Sequence, residues 1–305
     1  MAGSVDRCGA RQAAVLPAAA LRSSGMTARG RFTAADGTEL AAEHLPGDGP
    51  VVVLLHAGVA DRRAWSEVAA GLHGEGATVI SYDRRGFGET PGTETAFSHT
   101  DDLLSLLAQA TGEPAWLVGN SQGGRIAVDV ALTNPDRVAG LVLFAPAISG
   151  APDTDDDDLD PATRALSDQL EEAEDDGDLD ALNELEARLW LDGPAGPAER
   201  VSGDVRALVL GMNAIALVSA QPEDGGRGEL DAWSRLEEIE VPATVVWGEL
   251  DVPIVIDECR ALSDRLPNAS EPVELPGVAH LPSLERPDLV SAVILTAVRR
   301  ADRPS

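Results

Sequence analysis

Hydrophobic and polar positions alternate along this chain in two distinct periods. Residues 51–55 are five consecutive valines and leucines, opened by Pro50. Successive side chains of a strand point to opposite faces, so an unbroken apolar run marks a strand buried on both. Residues 77–82, 116–118, 138–144 and 243–247 are similar, largely apolar runs, and residues 271–275 read as a further strand. Between these runs apolar positions recur at helical spacing. Residues 63–72 place Trp65, Val68, Ala69 and Leu72 on one face. A helix over 103–110 has Ser98 as its candidate N-cap, with Asp101 and Asp102 in the first turn. Residues 125–132, 257–266 and 289–298 read as further helices. Strand, helix, strand, helix at this spacing predicts a parallel sheet with helices on both faces. Residues 31–40 differ, because Asp36-Gly37 between two short runs predicts a hairpin.

The rhythm breaks at Pro146 and returns near Val241. In between, Leu166, Leu170 and Ala173, then Leu179, Leu182, Leu185 and Leu189, then Val205, Leu208, Val209 and Met212 recur at helical spacing. Such amphipathic helices cannot bury their apolar faces alone. The expected organisation is an α/β core over residues 26–145 and 236–305, with residues 146–235 inserted as a helical cap over the open edge of the sheet. Residues 1–25 lack a periodic apolar pattern and read as a disordered extension, with Met26 as an alternative start.

Composition narrows the partners. The 305 residues carry 52 acidic and 23 basic side chains, a net charge of −29, and every basic residue is arginine. Nucleic acid and anionic membranes need a basic footprint, so neither is an expected partner. No apolar run approaches the roughly 20 residues that span a bilayer. Cys8 and Cys259 are the only cysteines and lack metal-like spacing. A cytoplasmic protein without metal or cofactor is expected, as a monomer or homodimer. Residues 151–192 hold 17 acids against two arginines, half of the net charge. The aspartates at 155–158 lack the spacing of a calcium loop and read as a solvated run.

Candidate chemistry lies where strands end. The run at 116–118 leads into Gly119-Asn120-Ser121-Gln122-Gly123, a G-x-S-x-G pattern between strand and helix. That context strains the serine turn, exposes its hydroxyl, and requires small residues at the flanking positions. A serine hydroxyl needs a base, and the base needs a partner that fixes its tautomer. Of five histidines, His44, His73 and His99 read as solvated, and His56 as a brace for the loop after residue 55. His280 follows a strand end, where the ligand-handling residues of open α/β sheets gather. Asp251 follows another strand end, with Glu249 as the runner-up. Serine, acid, histidine is also the chain order expected of a serine hydrolase on such a sheet. The oxyanion donors are expected to be the backbone N–H groups of Gln122 and Gly58, with Val59 as the alternative to Gly58.

At this point the chain resembles the α/β-hydrolase fold family over roughly residues 30–145 and 240–300. The resemblance rests on His56-Ala57-Gly58 with Trp65, on Tyr82-Asp83-Arg84-Arg85-Gly86-Phe87-Gly88, on the Ser121 motif, on Gly248-Glu249-Leu250-Asp251, and on Gly277-Val278-Ala279-His280 with Glu285 and Pro287. It implies an eight-stranded, mostly parallel sheet with a helical cap, the triad Ser121–Asp251–His280, and structural roles for Asp83 and Arg84. Ala57 departs from the glycine of many relatives.

The leading expectation is a serine hydrolase for a neutral small-molecule ester, lactone or related acyl compound. Val59, Trp190, Met212 and Trp233 are the candidate substrate contacts. The alternatives are C–C hydrolysis, perhydrolysis or a lyase or cyclase step with the same triad, and a non-catalytic small-molecule receptor. Ser121 argues against relatives with an aspartate nucleophile, the dehalogenases and epoxide hydrolases.

Overall fold

A computed structural model of the chain describes residues 28–152, 159–222 and 230–301. The expected extension at 1–25, Met26, Cys8 and the acidic run at 155–158 lie outside the described residues.

The predicted hairpin is β1 (Ala28–Thr33) and β2 (Glu39–Leu45), paired antiparallel across the Asp36-Gly37 turn, where Gly37 takes φ 90°. β2 pairs antiparallel with β4 (Thr78–Tyr82). The remaining strands are β3 (Val51–Leu55), β5 (Ala115–Asn120), β6 (Val138–Phe144), β7 (Ala243–Gly248) and β8 (Val273–Leu275). They pair in parallel, and the order across the sheet is β1-β2-β4-β3-β5-β6-β7-β8. The sheet is therefore eight-stranded and mostly parallel, as the resemblance implies.

Two apolar layers explain the unbroken strand sequences. In β3, Val53 and Leu55 join the core on one face and Val52 and Leu54 the core on the other. Helices α2 (His99–Ala110), α3 (Gln122–Thr133) and α7 (Pro253–Arg265) cover the first face, through Leu103, Leu106, Ile126, Val130, Ile256 and Leu262. Helices α1 (Ser66–Gly74) and α8 (Pro287–Ala301) cover the second, through Val68, Leu72, Val290 and Ile294. Each fully buried leucine or valine contributes about 1.5–3 kcal/mol. The Ser98 hydroxyl caps α2 as expected, accepting from the Asp101 N–H at 3.2 Å.

Between β6 and β7 lie α4 (Pro161–Asp175), α5 (Leu179–Ala187), a π-helical turn (Arg188–Asp192) and α6 (Asp204–Leu217). Asp160 and Asp178 cap the first two helices by accepting from N–H groups of their first turns. The apolar faces of this segment do not close on themselves. Ala187, Leu191, Val209 and Met212 pack onto Ala57, Val59, Ala60 and Ala64 of the loop after β3, and onto Leu281. Among the described residues, no helix is long and apolar enough to cross a membrane.

Candidate active site

Ser121 sits between β5 and α3 with φ 53° and ψ −119°. L-residues rarely adopt a positive φ, and here the surroundings enforce it. The Ser121 N–H donates to Phe144 O at 2.9 Å, and the Ser121 carbonyl accepts from Gly124 N and Ala147 N at 2.8 and 3.1 Å. The glycines are sterically required. A Cβ on Gly119 would come within 2.5 Å of Gly124 N, and one on Gly123 within 2.8 Å of His56 O. The start of α3 is therefore pressed against the end of β3.

β7 and β8 deliver the other two groups. His280 Nδ1 lies 2.9 Å from Asp251 Oδ2 and 3.1 Å from Oδ1, with both side chains almost fully buried. Asp251 also accepts from the Val252 N–H at 2.8 Å. A carboxylate holding Nδ1–H leaves Nε2 as the basic nitrogen. Glu249 is used otherwise: it is exposed and accepts from the Gly277 N–H at 2.8 Å, bracing the loop that carries His280. Asn120, next to Ser121, joins the strand ends, its side chain donating to Phe144 O at 2.9 Å and to His280 O at 3.1 Å. Ser121, Asp251 and His280 thus share one edge of the sheet.

The loop after β3 is held from behind. His56 Nδ1 donates to Ala57 O at 2.8 Å and Nε2 accepts from the Arg84 N–H at 3.1 Å, so this histidine is a brace, as expected. Burial, then the charge of Arg84, holds it well below the usual imidazole range and hence neutral. Gly58 follows, and a Cβ on it would come within 2.7 Å of Gln122 Nε2. Asp83 accepts from the Arg62 and Glu89 N–H groups at 2.9 and 2.8 Å and pairs with the Arg62 guanidinium, tying two loops together.

The four candidate substrate contacts separate. Trp190 lies on the site: its ring centroid is 4.6 Å from that of His280, and its carbonyl accepts the His280 N–H at 3.1 Å. Val59 and Met212 pack together where the helical segment meets the β3 loop. Met212 has no exposed surface, and its sulfur accepts from the Asp61 N–H at 3.5 Å. It is a packing residue, because a thioether fills an irregular seam well. Trp233 stands elsewhere, under the Arg265 guanidinium at 5.1 Å. Its backbone N–H donates to Ser149 O at 2.8 Å, and its ring packs against the core on the α7 face of the sheet. His99 also departs from its expected solvated place. It is buried and packs edge-on to Phe97 at 4.8 Å, because the Phe97 ring covers the start of α2.

The chain is similar to known proteins over most of its length. The sequence profile described as the alpha/beta hydrolase family matches residues 52–293. A Bacillus subtilis protein with the provisional name 2-succinyl-6-hydroxy-2,4-cyclohexadiene-1-carboxylate synthase is 27% identical over 279 residues, covering 86% of this chain and 96% of its own. Among solved structures, a thermophilic esterase from Thermogutta terrifontis superposes with a TM-score of 0.71 at 25% identity, over 90% of this chain and all of its own. An enol-lactonase from Burkholderia xenovorans shares the fold, with a TM-score of 0.68 at 22% identity over 88% of this chain and 99% of its own.

Proposed function

The chain belongs to the alpha/beta hydrolase family and is a hydrolase, and from that premise we propose that it cleaves neutral small-molecule carboxylic esters, lactones or related acyl compounds through Ser121. The observation that carries the reading is the His280–Asp251 bond on the sheet edge where the strained Ser121 turn ends β5. In the acylation step, Ser121 Oγ attacks the carbonyl carbon while His280 Nε2 takes the hydroxyl proton. Asp251 stabilises the imidazolium without taking its proton. The N–H groups of Gln122 and Gly58 hold the oxyanion. Collapse of the intermediate breaks the C–O bond, and the leaving alkoxide takes the proton from Nε2. Water, deprotonated by the same nitrogen, then releases the acid and restores Ser121. Trp190 lies over the base as a wall toward substrate, and residues 146–235 act as the cap on a core of 26–145 and 236–305.

The test is turnover of p-nitrophenyl butyrate by the wild type and Ser121→Ala. The variant is expected to lose at least about 10³-fold in kcat while keeping its thermal midpoint. Equal turnover by both proteins overturns the reading. The Bacillus subtilis relative, named as a synthase, favours a second reading in which the same three residues serve a lyase-type step. Ser121-dependent consumption of such a substrate by a wild type inert toward esters and lactones would select it.

A further inference from the structure

Arg84 is 1% exposed, yet among the described residues none of its contacts is a carboxylate. Buried charges are ordinarily paired. This guanidinium instead spends its two terminal nitrogens on neutral oxygens. Nη1 donates to Gln122 Oε1 at 2.9 Å and Nη2 to Ala57 O at 3.1 Å, and Phe87 lies across its face at 4.3 Å. Nε has no hydrogen-bond partner among the described residues. Burial lowers its pKa to about 9, with Tyr82 opposing the fall and the like charge of Arg125 adding to it, so it stays protonated at neutral pH with no carboxylate partner among the described residues.

The two acceptors belong to the two halves of the oxyanion hole proposed above, and the inference rests on that reading. Ala57 O and the Gly58 N–H are opposite ends of one peptide unit. In a trans peptide they point in opposite directions. Ala57 O accepts from Arg84 Nη2, from His56 Nδ1 at 2.8 Å and from the Ala60 N–H at 3.3 Å. Three donors on one oxygen fix the plane of that peptide and turn the Gly58 N–H away from them. They also polarise the unit, which makes its N–H a better donor. The Gln122 side chain, held by Nη1, lies against Gly58 and so locks the second donor residue to the first.

We propose that Arg84 is the positioning residue of the oxyanion hole: one buried, unpaired guanidinium fastens the Gly58 peptide to Gln122 and adds its positive charge behind both donors. Negative charge developing on the substrate oxygen is then the counter-ion that the arginine lacks in the free enzyme. A preorganised charge of this kind acts on the transition state more than on the neutral ground state.

The experiment compares wild type, Arg84→Met, Arg84→Lys and Gln122→Met on p-nitrophenyl butyrate and with an alkyl trifluoromethyl ketone, which forms an oxyanionic hemiketal with an active serine. Arg84→Met is expected to lose about 10²-fold in kcat with KM within about twofold, and the same factor in ketone affinity. Arg84→Lys keeps the charge and one donor and is expected to recover part of both. Gln122→Met is expected to lose about tenfold in kcat alone, and it carries the test if Arg84→Met does not fold. Arg85→Met removes the neighbouring arginine, which pairs with Asp36 and Asp102 instead, and should lower stability without weakening the ketone. A folded Arg84→Met with wild-type kcat overturns the proposal, as does a loss confined to KM. Wild-type kcat in Gln122→Met overturns it when Arg84→Met is unfolded. A wild type without Ser121-dependent turnover overturns the hydrolase reading and this inference with it.

Discussion

Asp129, two turns along α3 from Ser121, shows what burial does to one carboxyl. It is 2% exposed; Oδ2 accepts from the Ser149 hydroxyl at 2.9 Å, and Oδ1 has no hydrogen-bond partner among the described residues. Burial raises its pKa to about 6, against the lowering effect of Ser149 and Arg125. The folded value lies above the unfolded one, so between the two the folded protein binds the extra proton. The associated stability is complete below about pH 4 and is lost as pH rises through about 6, to a total of about 3 kcal/mol at 1.4 kcal/mol per pH unit. Asp129→Asn cannot ionise. The variant is therefore expected to exceed the wild type in stability at pH 8 by about 1–3 kcal/mol, and the gap should fall to about half at pH 5 and close near pH 4. Urea unfolding at these pH values checks this, and a gap that widens toward acid would refute it.

At the scale of elements, the π-helical turn Arg188–Asp192 joins the helical segment to the base. Its Trp190 carbonyl accepts the His280 N–H, and Arg200 fastens the turn to the same loop. Arg200 donates to Leu191 O at 2.7 Å, Asp192 O at 2.9 Å and Gly277 O at 3.0 Å, and pairs with Glu285 at 2.6 Å. Glu285 in turn accepts from the Ala279 N–H at 2.9 Å, one residue before the histidine. Arg200→Ala would strand a buried carboxylate, at a cost of about 3 kcal/mol, and loosen the base. The expected result is a lower urea midpoint together with a reduced kcat. Adding Glu285→Gln should recover part of the stability by removing the orphaned charge. The ends of β5 and β7 were legible in the sequence because a strand buried on both faces is an almost unbroken apolar run that stops where a glycine-bearing turn begins, whereas β8, with the exposed Glu274, was marked by the Pro276-Gly277 turn after it. Ser121, Asp251 and His280 could be picked out because each follows such a strand end. Trp190 was named only as a candidate contact, since apolar spacing does not distinguish a π turn from the last turn of α5. The choice between Asp251 and Glu249 needed the loop geometry, which assigns one carboxylate to His280 and the other to the Gly277 N–H. His99 was misplaced because its cover, Phe97, belongs to an irregular stretch without a period. The missing counter-ion of Arg84 had no sequence signal at all, because its partners lie 27 and 38 positions away.

Over the whole molecule the dominant quantity is the net charge of −29. Half of it falls in residues 151–192, between β6 and β7, the part of the chain proposed to roof the site. A single exposed charge about 10 Å from an incoming carboxylate opposes it by only about 0.4 kcal/mol in water. Many such charges of one sign add up, and the sum is screened once the Debye length falls below their distance. Arg84 does not offset this field on approach, because its guanidinium is buried behind the β3 loop and acts only on an oxygen already in place. The two electrostatic features therefore act at different stages, the acidic surface on encounter and the buried arginine on the transition state. This separation predicts that p-nitrophenyl butyrate outruns the carboxylate-bearing p-nitrophenyl hemisuccinate in kcat/KM by more at about 10 mM salt than at about 0.5 M, with a several-fold narrowing of the ratio. It further predicts that the salt-dependent part of the ratio is the same in Arg84→Lys as in the wild type, although kcat differs. A ratio indifferent to salt would remove the acidic surface from the account of selectivity, and a salt dependence that changes with Arg84 would show that the two fields are not separate.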